Sequence, residues 1–298
     1  MIFSITSSTS GAGLSETLIE KKISELLPGL FDVDPPYVQG GEPIILTGSL
    51  LRESEVHFIP AGEKVPPLKS RGTDITLYGA FGSYGVLKRI AASEPSDYAN
   101  TLQSKSSEVL SWIGSLQFSD IFDGLLWAFS GTRFGGARVT SGGKEAFVTL
   151  GDVVGLISAG KLSTNMSTDE VGSVPIAISK DRPIIEAIRK MVDQNVRRLF
   201  FQDGQGSFVS DRTLIDFMFS KERLGIARDH PEIWLEGEVS DVAAKTPRRC
   251  ITGDLDRVAR DIGPAPDDCL MTDRWRLVTR WDLAVKPWRA RKLALSDS

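Results

Sequence analysis

Phe147-Val-Thr149-Leu-Gly-Asp152-Val-Val-Gly-Leu-Ile is a short apolar strand with a hydroxyl residue at its end and a carboxylate three places on. Phe208-Val-Ser210-Asp-Arg-Thr213-Leu-Ile-Asp-Phe-Met and Leu277-Val-Thr279-Arg-Trp-Asp282-Leu-Ala-Val repeat it, and Gly79-Ala-Phe81-Gly-Ser-Tyr84-Gly-Val-Leu-Lys-Arg-Ile is a worn copy. Successive copies lie roughly sixty to seventy residues apart, the length of a whole supersecondary unit rather than of a coiled-coil repeat. A Ser or Thr followed within one turn by Asp is a helix start, because both side chains accept hydrogen bonds from amides that lack a partner inside the helix. The same end of a helix attracts anions.

The third copy serves as the template. Pro175-Ile-Ala-Ile-Ser179 reads as a strand, and Lys180-Asp-Arg-Pro183 opens a helix in which Ile184, Ile185, Ile188, Met191 and Val192 recur at helical spacing. Arg198-Leu-Phe-Phe-Gln202 and Ser207-Phe-Val-Ser210 then flank Asp203-Gly204, a hairpin signal, and a closing helix carries Leu214, Ile215 and Met218. The unit is therefore strand, helix, strand, strand, helix.

The same frame fits the other copies. The fourth has strands Arg249–Thr252, Cys269–Thr272 and Arg276–Thr279, helices from Asp254 to Asp261 and Asp282 to Lys286, and a turn at Asp273-Arg274. The second has Leu116-Gln-Phe118, a helix from Ile121 to Phe129, Ala137-Arg-Val139, a Ser141-Gly-Gly143 turn and Ala146–Thr149. The first is the most divergent, with Pro36–Gln39, a poor helix from Ile44 to Leu51, Val56–Ile59, a Pro-rich loop from Ala61 to Gly72, and Ile75–Tyr78. An apolar residue followed by Ser precedes each unit, at Ile23-Ser24, Leu110-Ser111, Leu162-Ser163 and Val239-Ser240. The expected divisions are an N-terminal tail and helix over 1–22 and repeats over 23–95, 107–160, 162–222 and 234–292. A helix from Ser15 to Leu27, polar connectors from Ser93 to Ser107 and Ser220 to Glu232, and a linker from Ser163 to Gly172 complete the reading.

Composition narrows the function classes. With 298 residues, 41% hydrophobic and 25% charged, the chain is an ordinary globular one. No apolar run approaches the ~20 residues that cross a bilayer, and the first residues lack a secretory pattern, so a cytoplasmic protein is expected. Cys250 and Cys269 could pair in principle, but free buried thiols are the better reading in a reducing compartment. The net charge of -4 argues against broad nucleic-acid binding, positive charge being local at Arg197-Arg198, Arg248-Arg249 and Lys286 to Lys292. Two histidines in unrelated segments, His57 and His230, give acid–base catalysis no centre, and neither stands at metal-ligand spacing with a cysteine.

Laid out in this way, the chain resembles the CBS domain family, named after cystathionine beta-synthase. The resemblance spans roughly residues 23 to 290 and is densest from Pro183 through Ser210, with its helix, its Val-Arg-Arg-Leu strand entry and its Asp-Gly turn. It implies an α/β fold of four CBS repeats associated in twos as Bateman modules and arranged like a disc, similar to the gamma subunit of AMP-activated protein kinase and its archaeal relatives. It further implies a non-catalytic, regulatory, energy-sensing role, an adenine nucleotide (AMP, ADP or ATP) in clefts between paired units, and a protein partner or homodimer. No membrane is implied.

The physical case for the ligand residues stands beside the resemblance. A carboxylate in the first helical turn can accept a hydrogen bond from each hydroxyl of a ribose, and a Thr three residues earlier sits where amides and the helix dipole favour phosphate. The intact pairs are Thr149 with Asp152 and Thr279 with Asp282, so two sites at most are expected, one per module. Unit three has Ser210 with Thr213, and unit one has Phe81 with Tyr84, where no nucleotide is expected. For phosphate, the resemblance points to Arg197 or Arg198 in unit three and Arg138 in unit two. Asp268 stands near that position in unit four, so cationic help for Thr279 has to cross from unit three. Ser111 and Ser240 are lesser contacts. Trp275, Trp281 and Trp288 read as packing residues rather than as an adenine wall. The rivals are a scaffold with empty clefts and a binder of another adenosyl compound or of nucleic acid.

Overall fold

The computed structural model describes residues 20–31, 37–54, 58–62, 68–69, 76–132, 135–202, 206–263 and 267–296. A short helix α1 (Ile23–Leu26) precedes unit one, which comprises α2 (Ile44–Glu53), β1 (Phe58–Pro60), β2 (Leu68–Lys69), β3 (Thr76–Gly82) and α3 (Ser83–Ala91). After α4 (Tyr98–Gln103), unit two holds β4 (Leu110–Gln117), α5 (Phe122–Thr132), β5 (Gly136–Ser141), β6 (Lys144–Thr149) and α6 (Leu150–Ser158). Helix α7 (Thr168–Val171) leads to unit three, with β7 (Ala177–Ile178), α8 (Ile184–Asp193), β8 (Arg198–Phe201), β9 (Phe208–Ser210) and α9 (Asp211–Met218). Helix α10 (Lys221–Asp229) precedes unit four, made of β10 (Arg248–Cys250), α11 (Leu255–Val258), β11 (Cys269–Thr272), β12 (Leu277–Thr279) and α12 (Arg280–Ser296).

One strand topology recurs. In units two, three and four the first strand runs parallel to the second, and the second antiparallel to the third. Unit one keeps the order, its first strand reduced to a parallel bridge of Val38 with Ala61 before the antiparallel pair β1 and β3. The antiparallel pair β3 and β4 fuses the first two units into one sheet, in the order β1-β3-β4-β5-β6 with β2 also on β3. The turn between β5 and β6 is Gly142-Gly143, with φ of 57° and 83°. Two successive positive φ values make the type I′ geometry that suits the strand twist, and glycine enters it without a Cβ clash.

Each segment that leads into a unit packs on the other unit of its pair. Lys22 bridges to Ile121 of unit two, and Lys105 to Pro43 of unit one. Ser167 bridges to Asp254 of unit four, and Glu238 to Pro183 of unit three. The contacted residue stands each time just ahead of a first helix, whose first amide finds a carbonyl on the visiting segment. Phe122 N donates to Lys21 O at 2.8 Å, Ile44 N to Ser104 O at 2.9 Å, Ile184 N to Gly237 O at 3.2 Å and Leu255 N to Met166 O at 3.0 Å.

Two kinds of core then close the units into a ring. Between sheets of a pair lie small seams, Phe58, Ala80 and Ile113 in the first module and Phe200, Phe208, Cys269, Met271 and Leu277 in the second. Between modules lie two larger helical cores, one joining units one and three, the other units two and four. Helix α8 shows why the helices face inward: Ile184, Ala187, Ile188 and Met191 fall on one stripe and are fully buried. Full burial of a single Ile or Met side chain contributes about 1.5–3 kcal/mol.

Several expectations need correction. Residues 20–22 are not helical, so the helix read from Ser15 to Leu27 shrinks within the described residues to Ile23–Leu26. The lead-in Leu110-Ser111 is the start of β4 itself. Both stretches read as polar connectors contain helices, α4 and α10, because Tyr98 and Leu102 from the first and Trp234 just after the second share one buried cluster. The linker from Ser163 is bound to unit four, with Ser163 Oγ and Thr164 Oγ1 donating to the Asp256 carboxylate at 2.6 and 2.8 Å. The last helix begins at Arg280 and continues through Pro287, well beyond Lys286. His57 and the Asp203-Gly204 turn lie outside the described residues.

Trp234 is fully buried, stands edge-on to Tyr98 and Phe219 with centroids 5.8 and 5.9 Å away, and donates its indole N–H to Met218 O at 3.0 Å. Trp234→Ala is expected to lower the unfolding free energy by about 3–5 kcal/mol in urea titrations. A loss below about 1 kcal/mol would show that this cluster does not hold units one and three together. Burial pushes the Cys269 thiol up to about 11. It is therefore protonated at pH 8, and a colorimetric thiol reagent should reach it only on unfolding. Rapid labelling of Cys269 in the native protein would contradict the buried seam.

Candidate functional site

Four second helices, one per unit, begin directly after a third strand, and each start has its own chemistry. In unit two, Thr149 caps α6, its Oγ1 accepting from Gly151 N at 3.2 Å. Asp152 Oδ2 accepts in return from Thr149 N at 2.7 Å and from Thr149 Oγ1 at 2.9 Å. This reciprocal box satisfies amides that the helix leaves unpaired. Asp152 is part-exposed, and its Oδ1 takes no hydrogen bond among the described residues.

Unit four has the same pair with a different outcome. Thr279 N and Oγ1 donate to Asp282 Oδ2 at 2.8 and 2.7 Å. Asp282 Oδ1 is taken by Lys286 Nζ at 2.7 Å, and the residue is only 3% exposed. Lys286 also donates to Val171 O of the visiting α7. Both oxygens of Asp282 are thus engaged, whereas Asp152 has Leu156 where Lys286 stands, one turn on.

In unit three Ser210 and Thr213 form a neutral box, Ser210 N donating to Thr213 Oγ1 at 2.8 Å and Thr213 N to Ser210 Oγ at 3.0 Å. In unit one the structure puts Gly82 at the cap, opposite Phe58 as Thr149 is opposite Gly136. The register is therefore one residue later than Phe81 and Tyr84. A Cβ at Gly85, three residues after the cap, would meet Val109 O at 2.5 Å, so that helix start is sealed by backbone.

The basic residues read from the sequence have definite partners. Arg197 is ion-paired to the fully buried Asp211 at 2.6 Å, and it donates to Ser83 Oγ at 3.1 Å. Ser83 Oγ donates to the same carboxylate, so this triad ties the start of α3 to the start of α9. Arg198 crosses to unit four, its Nε donating to Asp267 O at 2.9 Å. Arg138 stacks on Tyr78 at 3.7 Å and pairs with Glu145, which also accepts from Tyr37 at 2.6 Å. Glu145 lies about 13 Å along β6 from Thr149 at the usual rise per residue, so Arg138 is drawn away from that cap. Ser111 lies on β4 facing the α3 start. Ser240 is exposed, with Glu238 as its partner.

Residues that the sequence reading did not count among the ligand contacts complete the centre. Asp267 is fully buried, accepting from Ser210 Oγ at 2.7 Å and from Lys245 Nζ at 2.5 Å. Burial works to raise its pKa, but the hydrogen bonds from Lys245 and Ser210, with the charges of Lys245 and Arg198, hold the carboxyl below the usual range. Arg280, the first residue of α12, donates to Gly263 O at 2.5 Å. Burial lowers its pKa against the charge of Asp268; Arg198 adds to the fall, while Asp267 and Asp152 oppose it. Asp267 stands next to Asp268, the residue noted near the phosphate position of unit four, but nothing local in sequence joins it to Ser210 or Lys245. Of the tryptophans, Trp288 is buried and donates to Asp123 at 2.8 Å, while Trp275 is half exposed beside Arg249. Among the described residues no cluster of His, Cys, Asp and Glu could hold a metal ion, and no helix is long and apolar enough to cross a membrane.

No protein-family model matches the sequence, and no curated protein does. Solved structures do. A protein of Methanocaldococcus jannaschii, proposed as an archaeal homolog of g-AMPK, superposes with a TM-score of 0.69 at 12% identity, over 89% of this chain and 99% of that one. An uncharacterized conserved protein from Pyrococcus horikoshii gives 0.44 at 13% identity, over 84% and 94%. A CBS-domain containing protein from Agrobacterium tumefaciens gives 0.35 at 20% identity, over 45% and 98%. With one topology repeated four times, visiting lead-in segments and this superposition over nearly the whole chain, the protein has the four-repeat CBS fold in two paired modules.

Proposed function

We propose that this chain is a non-catalytic regulatory protein that binds an adenine nucleotide, AMP, ADP or ATP, and passes its occupancy to a protein partner or a second copy. The observation that carries the reading is the unequal state of the two Thr-x-x-Asp pairs. Asp152 has an oxygen to offer a ribose diol, while Asp282 must first release Lys286. A nucleotide is therefore assigned first to Thr149 and Asp152, with Arg280 as the cation whose charge reaches that carboxylate. Thr279 and Asp282 form the second, weaker site, with Arg198 and Arg197 as basic groups from unit three. Fold does not fix function. The choice of an adenine ligand is supported by the ribose-phosphate chemistry of the motif and by the description of the archaeal neighbour as a homolog of g-AMPK.

A ligand bound across two units stabilises the paired state by mass action, and it acts as a switch when its affinity differs between two arrangements. The same ion pairs favour one rival, a scaffold with empty clefts, because Arg197, Lys245 and Lys286 already have carboxylate partners.

Thermal unfolding with millimolar AMP, ADP or ATP distinguishes the two. At 100-fold excess over Kd, ligand is expected to contribute about 2.7 kcal/mol and to raise the midpoint by several degrees. Asp152→Ala is expected to abolish that increment, with the unliganded protein about 1 kcal/mol less stable through loss of its capping box. Asp282→Ala should leave most of the increment. The absence of any increment for adenine nucleotides in the parent would retire the sensor and favour the scaffold.

A further inference from the structure

The start of α9 in the second module carries the groups of an anion site. Ser210 Oγ, Lys245 Nζ and the charge of Arg198 converge there, at the positive end of a helix. Their occupant is a side chain of the protein itself. Asp267 Oδ2 is bonded to Ser210 and Oδ1 to Lys245, and its own carbonyl is held by Arg198. Its carboxylate is out of contact with solvent, although Lys245 remains 35% exposed. A buried carboxylate is costly unless it is paired and hydrogen-bonded, and here each oxygen has a donor.

We propose that Asp267 is a resident anion of the second module, filling a site of Ser210, Lys245 and Arg198 that would otherwise take a phosphate group, and keeping it closed. Ser210 stands in unit three at the place that Thr149 holds in unit two. Unit three lacks the carboxylate for a ribose, and its anion site is filled from unit four, so this cleft is closed at both ends of a nucleotide. The inference extends the nucleotide reading, yet it concerns phosphate chemistry alone. Free phosphate and the phosphate of a nucleotide satisfy the same groups.

The test compares the parent, Asp267→Asn, Asp267→Ala and the double variant Asp267→Asn with Lys245→Met, each melted in 10 mM inorganic phosphate, in 10 mM AMP and in chloride of matched ionic strength. Phosphate over chloride is expected to move the parent by less than about 1 °C and both single variants upward by about 2 °C or more. The double variant should lose the gain. An AMP increment in the single variants that exceeds the parent's own AMP increment by more than the phosphate gain would support the proposal with nucleotides as the source, and an excess no larger than the phosphate gain would support it with free phosphate. Equal phosphate increments in parent and Asp267→Asn, or a gain that persists in the double variant, would overturn it. Should Asp267→Ala fail to fold in chloride, phosphate is expected to restore folding, and its failure to do so counts against the site. The readouts separate from the sensor: no adenine effect in the parent with a phosphate gain in Asp267→Asn retires the sensor alone.

Discussion

The first amide of every first helix is bonded to a carbonyl that another unit's lead-in segment supplies. Ile44 has Ser104, Phe122 has Lys21, Ile184 has Gly237 and Leu255 has Met166. A helix cannot satisfy its own first amides, and here each such amide belongs to a fully buried residue that needs a partner from outside the helix. Each unit therefore begins incomplete, and completion comes from its pair. This exchange makes the pair, rather than the single unit, the structurally complete element. It also explains why segments that look like linkers, such as Ser163 to Gly172, are held by hydrogen bonds and buried side chains.

From that constraint the ring follows. Pairing through the lead-ins brings the sheets of two units together at a small seam and leaves the helices of both facing outward from it, with apolar stripes such as Ile184, Ala187, Ile188 and Met191 still to be covered. The second module covers them. The two large cores run between modules, and the connectors before units two and four join one of them through Tyr98, Leu102 and Trp234. The starts of the second helices are thereby linked at the ring's interior, α3 to α9 through Ser83, Asp211 and Arg197, and α6 toward α12 through the charges of Asp152 and Arg280.

What the sequence disclosed, and what it hid, divides by range. The strand order, the four units and the caps at Thr149, Ser210 and Thr279 rest on residues within a few positions of one another, and they were legible. The difference between Asp152 and Asp282 was also within reach, since Leu156 and Lys286 stand one turn on and an i,i+4 carboxylate–lysine pair is a local rule. The register of unit one slipped by a residue because Gly82 offers no hydroxyl to mark the cap. Asp267 was hidden for a different reason: its partners Ser210 and Lys245 are separated from it by 57 and 22 residues, and only the folded pair brings them together. Tyr98 was likewise read within a polar connector, and its burial against Trp234 is a property of the ring.

A protein that gathers cations at helix starts has to neutralise them in whatever state it occupies. Taking an isolated charge out of water costs several kcal/mol, and the choice lies between an external anion and an internal one. Arg197 with Asp211, Lys245 with Asp267 and Lys286 with Asp282 are three internal solutions, all in the second module or at its border. Each uses a carboxylate buried to 5% exposure or less. In the first module Asp152 is part-exposed, and the strand position opposite its cap is Gly136, without any side chain to bring charge. The asymmetry places these buried ion pairs in one half of the ring and leaves Asp152 in the other with an oxygen that takes no hydrogen bond among the described residues. On the nucleotide reading proposed above, the two helical cores that the modules share are the contacts through which occupancy at Asp152 would reach the second module.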